Sequence, residues 1–271
     1  MVIYNIIATM SLSKQSVDSV QMPRWKNNSC YIDSLIYTLH CVAPALVNRI
    51  RRSADRSIAK KIRQAFKEID IQSLRKLFKK VDPNTDWLHA QQEPIEVIFL
   101  LNKFFVLPKT VYTHETIQGS NSKNSNNYKL IRDKIHKTNF ASIVVDADND
   151  KKLSLTTSSV DKVEGWDQGF QYRIVKKHVI IDQFAMIHIN RNNFGQKKKA
   201  MIKPPKILQK NTKLRAVLVH LGDSPNSGHY VSYILKGKIW YLYDDMEMEL
   251  QMIGKVLPES ALKNCSDFIY A

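Results

Sequence analysis

The chain has 271 residues, 44% hydrophobic and 24% charged, and 41 Lys and Arg against 25 Asp and Glu give a net charge of +16. That is an ordinary soluble globular composition with enough chain to bury a sizeable core, and no apolar run approaches the ~20 residues that span a bilayer. Three cysteines, Cys30, Cys41 and Cys265, are too sparse for a disulfide framework or a CxxC-type zinc site, which points to a reducing compartment, cytosol or nucleus.

The opening "MVIYNIIATM" lacks a basic leading segment and a small-residue cleavage site, so residues 1–22 read as a strand or N-terminal extension rather than a signal peptide. Apolar residues at helical spacing then recur over 32–43, 58–80 and 94–106, interrupted at Pro44 and by "DPNTD" at 82–86. The basic residues from Arg49 to Lys80 accompany a stripe of Ile62, Phe66, Ile69 and Leu74, the pattern of a solvated helix face. "GSNSKNSNNY", 119–128, is a polar low-complexity loop. From about 140 the pattern turns strand-like. "ASIVV", "LSLTT", "YRIV", "HVIIDQFAMIHI", "LRAVLVHL", "HYVSYIL" and "IWYLY" are β-branched and aromatic runs between turn formers. Helices first and strands second, without an internal repeat, imply an α+β architecture with antiparallel pairing.

Cys30 stands where the first helix begins. Asn27, Asn28 and Ser29 are all N-cap formers, and Ile32, Leu35, Ile36, Leu39 and Ala43 make one apolar stripe after them. In a first helical turn, unpaired backbone N–H groups and the positive end of the helix dipole favour thiolate over thiol, which is the preparation a nucleophile needs. Cys41 and Cys265 read as small core residues. The second notable stretch is "SGHYVSYILKGKIWYLYDD", 227–245, a strand, a turn at Lys236-Gly237 and a second strand. With that turn, His229 falls directly opposite Asp244 on one face, Cβ atoms ~5 Å apart, close enough for a carboxylate to orient an imidazole. An odd loop length would bring Tyr243 or Asp245 opposite instead. A thiol, an imidazole and an orienting carboxylate are the parts of nucleophilic triad chemistry.

Spacing alone does not join Cys30 to His229 across some 200 residues. However, "NNSCYIDSLIYTL" resembles the cysteine box of the ubiquitin-specific proteases, papain-like deubiquitinating enzymes, and "SGHYVSYILKGKIWYLYDD" resembles their histidine box. Between them, "AQQEPIEVIFLLNKFF", 90–105, is similar to the family's Gln-Gln-Asp box. "FAMIHINRNNFGQKKKAMIKPPKIL", 184–208, is similar to the segment before the histidine box, and the final "CSDFIYA" resembles the closing strand. The resemblance implies a papain-like α+β fold. It would comprise a helical thumb at about 23–110, reduced fingers at about 111–180 and an antiparallel-sheet palm at about 181–271, all one catalytic domain. It implies Cys30 as nucleophile, His229 as general base and acid, Asp244 as its orienting carboxylate and Asp245 as a supporting acid. Gln92, Glu93, Glu96, Gly228 and Tyr230 would bind the arginine-bearing C-terminal tail of the modifier, with carboxylates pairing the guanidinium groups.

Two departures from the family pattern matter. The asparagine that donates to the oxyanion five residues before the cysteine is replaced by Trp25, so an amide of Asn27 or Asn28 is the alternative donor. Asn27 also occupies a position usually held by glycine, which asparagine tolerates because it accepts positive φ. The 111–180 segment lacks the family's paired zinc ligands, and His114, His136 and His178 have no cysteine neighbours, so neither a metal nor a cofactor is expected. Reduced fingers leave the choice between ubiquitin and a relative such as SUMO or NEDD8 open, and Trp25 leaves open an inactive modifier-binding protein. A nucleic-acid-binding protein is the rival suggested by the charge and by "QKKKAMIKPPKILQK". That run has no interleaved aromatics and reads as a solvated hairpin tip. The expectation is therefore a cytoplasmic or nuclear monomer acting on ubiquitin or ubiquitin-like conjugates, with no membrane and no specific nucleic-acid partner.

Overall fold

The computed structural model describes residues 22–271 except 109, 120–127, 139–141, 148–150, 154–155, 163–170, 181–183, 194–195, 209–211, 225–226 and 248. The expected extension, apart from Met22, and the middle of the 119–128 loop lie outside the described residues, as do the side chains of His114, His136 and His178. The elements in chain order begin with four helices: α1 Cys30–Val42, α2 Arg56–Glu68, α3 Ile71–Val81 and α4 Pro94–Phe104. Strands follow as β1 Thr110–Gly119, β2 Tyr128–Thr138, β3 Ser142–Asp146, β4 Lys151–Lys152, β5 Thr156–Lys162, β6 Gln171–Ile180 and β7 Ala185–Asn190. The remainder is β8 Asn192–Asn193, β9 Gln196–Lys197, β10 Ile202–Lys203, β11 Leu214–Ser224, β12 Ser227–Lys236, β13 Ile239–Tyr243, β14 Gln251–Gly254, α5 Glu259–Asn264 and β15 Cys265–Tyr270.

Helix α1 is buried along its whole first three turns, from Cys30 to Leu39, and stops before Pro44, whose ring cannot follow an α-helical residue without a clash. The single helix read over 58–80 is two. Asp55 caps α2 by accepting from the Ser57 and Ile58 amides at 2.8 and 3.0 Å. Ile69 then enters the left-handed region at φ 55°, and Asp70 caps α3 through the Ser73 amide at 3.0 Å. The turn lets Phe66, Ile69, Ile71 and Leu74 all reach the same core, which a continuous helix would not. Lys60, Lys61, Lys67, Lys76 and Lys80 are exposed, the solvated face expected, but Arg75 is fully buried.

Strand structure starts earlier than expected, at 110. Strands β2, β1, β6 and β5 form a four-stranded antiparallel sheet across the finger segment. The run 178–189 is split, because β6 ends at Ile180 in that sheet while β7 begins at Ala185 in another. Of "LSLTT", Thr156 and Thr157 lie in β5, and residues 154–155 lie outside the described residues. The principal sheet has seven strands in the order β14-β13-β12-β11-β15-β7-β3, antiparallel except for the β3–β7 edge. Period-two alternation divides its side chains. Ala216, Leu218 and Ile269 pack with α1, whereas Val217, Val219, Phe268 and Tyr270 face a second core beneath α5. With both faces covered, the centre of the sheet is fixed, and β12 carries the histidine on that fixed frame. Among the described residues no helix is long and apolar enough to cross a membrane.

Candidate active site

Two elements meet at the site. Helix α1 lies against β12, tied by the Ser34 Oγ hydrogen bond to the Tyr230 carbonyl at 2.9 Å. The backbone N–H of Tyr230 donates toward the Cys30 thiol, so the sulfur rests against the residue that follows His229. Cys30 is the first residue of α1, after N-cap Ser29, as the sequence suggested. Its electrostatics differ from that expectation. Burial pushes the thiol up to about 11, the Tyr230 amide opposes, and the Asp245 and Asp33 carboxyls add to the rise. The helix terminus is outweighed because the thiol is 2% exposed and its nearest charges are negative.

The histidine hairpin is shifted relative to expectation. Lys236 pairs with Ile239 and Ser232 with Tyr243, so the turn is Gly237-Lys238, with Gly237 at φ 61°, one residue later than Lys236-Gly237. On that register Asp244 stands across from Val231, not His229. The partner number moves by two, which preserves the face, and Asp244 becomes the diagonal neighbour of His229 just past the end of β13. His229 Nε2 lies 2.7 Å from Asp244 Oδ1 and 3.5 Å from Asp245 Oδ1. Asp244 Oδ1 also accepts from the Met246 amide at 3.0 Å, which holds the carboxylate in place. The two differ in setting: Asp244 is partly exposed and Asp245 is buried. Tyr243, just before them, stacks on Tyr37 of α1 with ring centroids 4.3 Å apart and donates to the Pro23 carbonyl at 2.9 Å, locking this end of the hairpin to the helix. His229, Asp244 and Asp245 each offer a ligand atom within 4.8 Å of the others, the spacing a metal requires, but it is equally that of an imidazole held by two carboxylates.

The loop before Cys30 is strained in the way the asparagines permit: Asn27 and Asn28 take φ 51° and 57°. Asn28 Nδ2 donates to the His89 carbonyl at 2.8 Å, tying its amide to the 86–89 turn, and the Asn27 carbonyl accepts from Arg75 at 2.7 Å. Trp25 is exposed, and its backbone N–H donates to the Asp245 carbonyl at 3.1 Å.

The Gln-box residues flank this loop. Gln92 Nε2 is 3.4 Å from the Asp86 carbonyl. Glu93 is the N-cap of α4, exposed, and 3.4 Å from His188 Nε2. Glu96 sits in the first turn of α4, its Oε2 buried without a hydrogen-bond partner among the described residues, and burial followed by the Glu93 charge pushes its carboxyl up. Tyr230 is buried, and burial followed by the Glu93 and Asp267 charges pushes its phenol up. Gly228 is obligatory, since a Cβ there would stand 2.1 Å from the Leu221 carbonyl oxygen and 2.5 Å from His220 Nε2.

Several residues here escaped the sequence reading. Arg75 of α3 donates to the carbonyls of Trp87 (2.6 Å), Lys26 (2.8 Å), Asn27 (2.7 Å) and Leu88, clasping the loop before Cys30 to the loop before Glu93. His188 is held by buried Asp267 at 2.9 Å. Burial opposes its protonation, yet the Asp267 charge and hydrogen bond hold it above the ordinary imidazole range. His220 is pushed down to about 4 by burial, so it is neutral, and its Nε2 lies 3.2 Å from Gln91 Nε2. Lys197 is not at a solvated tip, because its ammonium bonds the His220 and Gly222 carbonyls. Asp33 is fully buried one turn beyond Cys30; an acidic residue on the apolar side of a helix was the available signal.

Residues 100–261 match the model of the ubiquitin carboxyl-terminal hydrolase family, a span that contains His229, Asp244 and Asp245 and begins after Cys30. Two solved structures share the fold. One is of the SAGA DUB module Ubp8/Sgf11/Sus1/Sgf73 bound to monoubiquitin, with TM-score 0.64 and 15% identity over 93% of this chain and 68% of that one. The other is the same module bound to ubiquitin aldehyde, with TM-score 0.62 and 15% identity over 97% and 71%. No curated protein sequence matches the chain. The expected α+β papain-like architecture is thus the one these structures share.

Proposed function

The chain belongs to the ubiquitin carboxyl-terminal hydrolase family, thiol-dependent deubiquitinating enzymes, and from that premise we propose that it cleaves the bond after the C-terminal glycine of conjugated ubiquitin with Cys30, His229 and Asp244 as its triad. The observation that carries this is the 2.7 Å contact between His229 Nε2 and Asp244 on a strand whose next residue, Tyr230, lies against the Cys30 thiol. With Nε2 engaged by the carboxylate, Nδ1 is the nitrogen left to exchange a proton with sulfur. Because the resting thiol is neutral, attack begins with transfer of its proton to that nitrogen as sulfur adds to the glycine carbonyl. His229 returns the proton to the departing lysine amine, and water then hydrolyses the thioester. The Cys30 backbone N–H, at the helix start where no intrahelical acceptor exists, is the oxyanion donor at hand. Glu93 and Glu96 receive the basic tail, the buried Glu96 oxygen, without a hydrogen-bond partner among the described residues, being the one that gains most from a guanidinium.

A second reading, a modifier-binding protein without turnover, draws on Trp25 at the oxyanion position and on the raised thiol. A side-by-side assay with fluorogenic conjugates of ubiquitin, SUMO and NEDD8 decides between them. Hydrolysis of the ubiquitin conjugate, lost in Cys30→Ala, is expected. Hydrolysis confined to SUMO or NEDD8 moves the substrate to that modifier, and binding with no hydrolysis of any of the three establishes the second reading.

A further inference from the structure

Outside the triad, a second imidazole lies between two carboxylates. His188 on β7 and Asp267 on β15 are direct cross-strand partners, so their side chains share one face of the principal sheet. Asp267 is fully buried and His188 is 8% exposed. His188 Nδ1 lies 2.9 Å from Asp267 Oδ1, and its Nε2 lies 3.4 Å from Oε2 of Glu93, the N-cap of α4. A carboxylate oxygen only accepts, so each ring nitrogen needs a hydrogen to face one favourably, and a ring with both is an imidazolium. Imidazole is a stronger base than a carboxylate, so both hydrogens stay on the ring. The other charged groups around the same recess are committed elsewhere. Lys197 from β9 bonds the His220 and Gly222 carbonyls, and Arg191 after β7 bonds those of Cys265, Lys198, Ala200 and Leu262. His220 on β11 is neutral, and Glu96 on α4 adds a second acid beside Glu93. Tyr230 from β12 closes the recess, and its amide faces the Cys30 thiol.

We propose that Asp267 and His188 are positioning residues: the imidazolium pins the Glu93 carboxylate beside this recess, ready for the basic tail. Glu93 needs such a hold. Its side chain is 47% exposed and makes no capping bond to its own helix, and its charge and that of Glu96 repel. Without a cation behind it, the side chain would swing among rotamers and away from Glu96. The imidazolium engages Oε2 and leaves Oε1 to a guanidinium. Asp267 acts through the ring, because its buried carboxylate keeps the imidazole charged although burial opposes that charge. The tail's part in this inference rests on the proposed function, whereas the pinned state of Glu93 does not.

Asp267→Asn separates positioning from long-range attraction. The native trio has two carboxylates and one imidazolium, and the variant with a neutral ring keeps one carboxylate, so the net charge is the same and only the hold on Glu93 changes. At pH 7 the KM of Asp267→Asn for a ubiquitin conjugate should exceed the native value by about 3- to 10-fold, because a free glutamate must be ordered on binding, with kcat within about twofold. The ratio should shrink as pH falls and the variant's ring regains its proton. It should stay near one for a ubiquitin whose tail arginines are replaced by glutamine. A ratio near one at pH 7, a ratio indifferent to pH, or one as large for the arginine-free tail overturns the positioning role. NMR of the His188 ring, its signal assigned through its loss in His188→Gln, reads the pinned state without substrate. A titration midpoint above the ordinary imidazole value of about 6.5, and lower in Glu93→Gln, is expected. A native midpoint below that value, or one that Glu93→Gln leaves in place, overturns the pinning whatever the chain cleaves. If the native protein cleaves no conjugate, the proposed function falls and the ratio is read from the Kd for ubiquitin. If Asp267→Asn does not fold, Glu93→Gln, at an exposed position, still decides through the ring titration.

Discussion

Replacing Arg75 with methionine removes a buried cation while keeping much of its length and apolar stem. Four backbone carbonyls lose their donor, those of Trp87, Leu88, Lys26 and Asn27. A hydrogen bond from a charged donor contributes about 1.5–3 kcal/mol, and the carbonyls of the exposed 26–27 segment can turn to water, so the pair at buried Trp87 and half-buried Leu88 sets a loss of about 3–6 kcal/mol. At about 2–4 °C per kcal/mol for a domain of this size, the melting temperature should drop by roughly 6–24 °C. Arg75→Lys, which keeps the charge but cannot present a planar fork to two loops, should recover only a minor part. Differential scanning calorimetry of the three proteins measures it. A melting temperature for Arg75→Met within about 1 °C of the native value would refute the clasp between the cysteine loop and the loop before Glu93.

Gly228→Ala should lower kcat/KM by about 100-fold while leaving the fold intact by circular dichroism, because a methyl group 2.1 Å from the Leu221 carbonyl displaces the residue before His229. A loss smaller than about threefold would show that the strand absorbs it without moving the ring. With the thiol pushed up to about 11, the thiolate fraction at neutral pH is about one in ten thousand when no base assists. In His229→Ala, alkylation of Cys30 by iodoacetamide should therefore quicken about tenfold per pH unit from pH 7 to 10. Mass spectrometry of the alkylated peptide reads the rate, and a plateau below about pH 8 would contradict a thiol raised by burial.

Some of this was legible in the residues and some was not, for physical reasons. The cysteine helix was readable because cap residues and an apolar stripe act locally, and its start falls at Cys30. The hairpin register was missed by one turn position, yet the His229–Asp244 contact survives because sheet faces depend only on parity. The break between α2 and α3 was hidden because Ile69, a poor candidate for positive φ, is held there by burial rather than by local preference. Strands β1 and β2 carry polar residues at most positions, as in "THETIQG" and "IRDKIHKT", so no apolar alternation announced them. Arg75 and Lys197 were lost among many basic residues, since nothing in a run of lysines and arginines says which one turns inward. The thiol's electrostatics depended on Asp245 and Asp33, and only the fold brings Asp245 to Cys30.

Labelling with a ubiquitin that bears a C-terminal electrophile, read by mass spectrometry of the adduct, tests Cys30 as the nucleophile. One adduct per chain is expected, on Cys30, absent in Cys30→Ala and slowed at least about 100-fold in His229→Ala. Attachment at Cys41 or Cys265, or no attachment by a chain that binds ubiquitin, would contradict it.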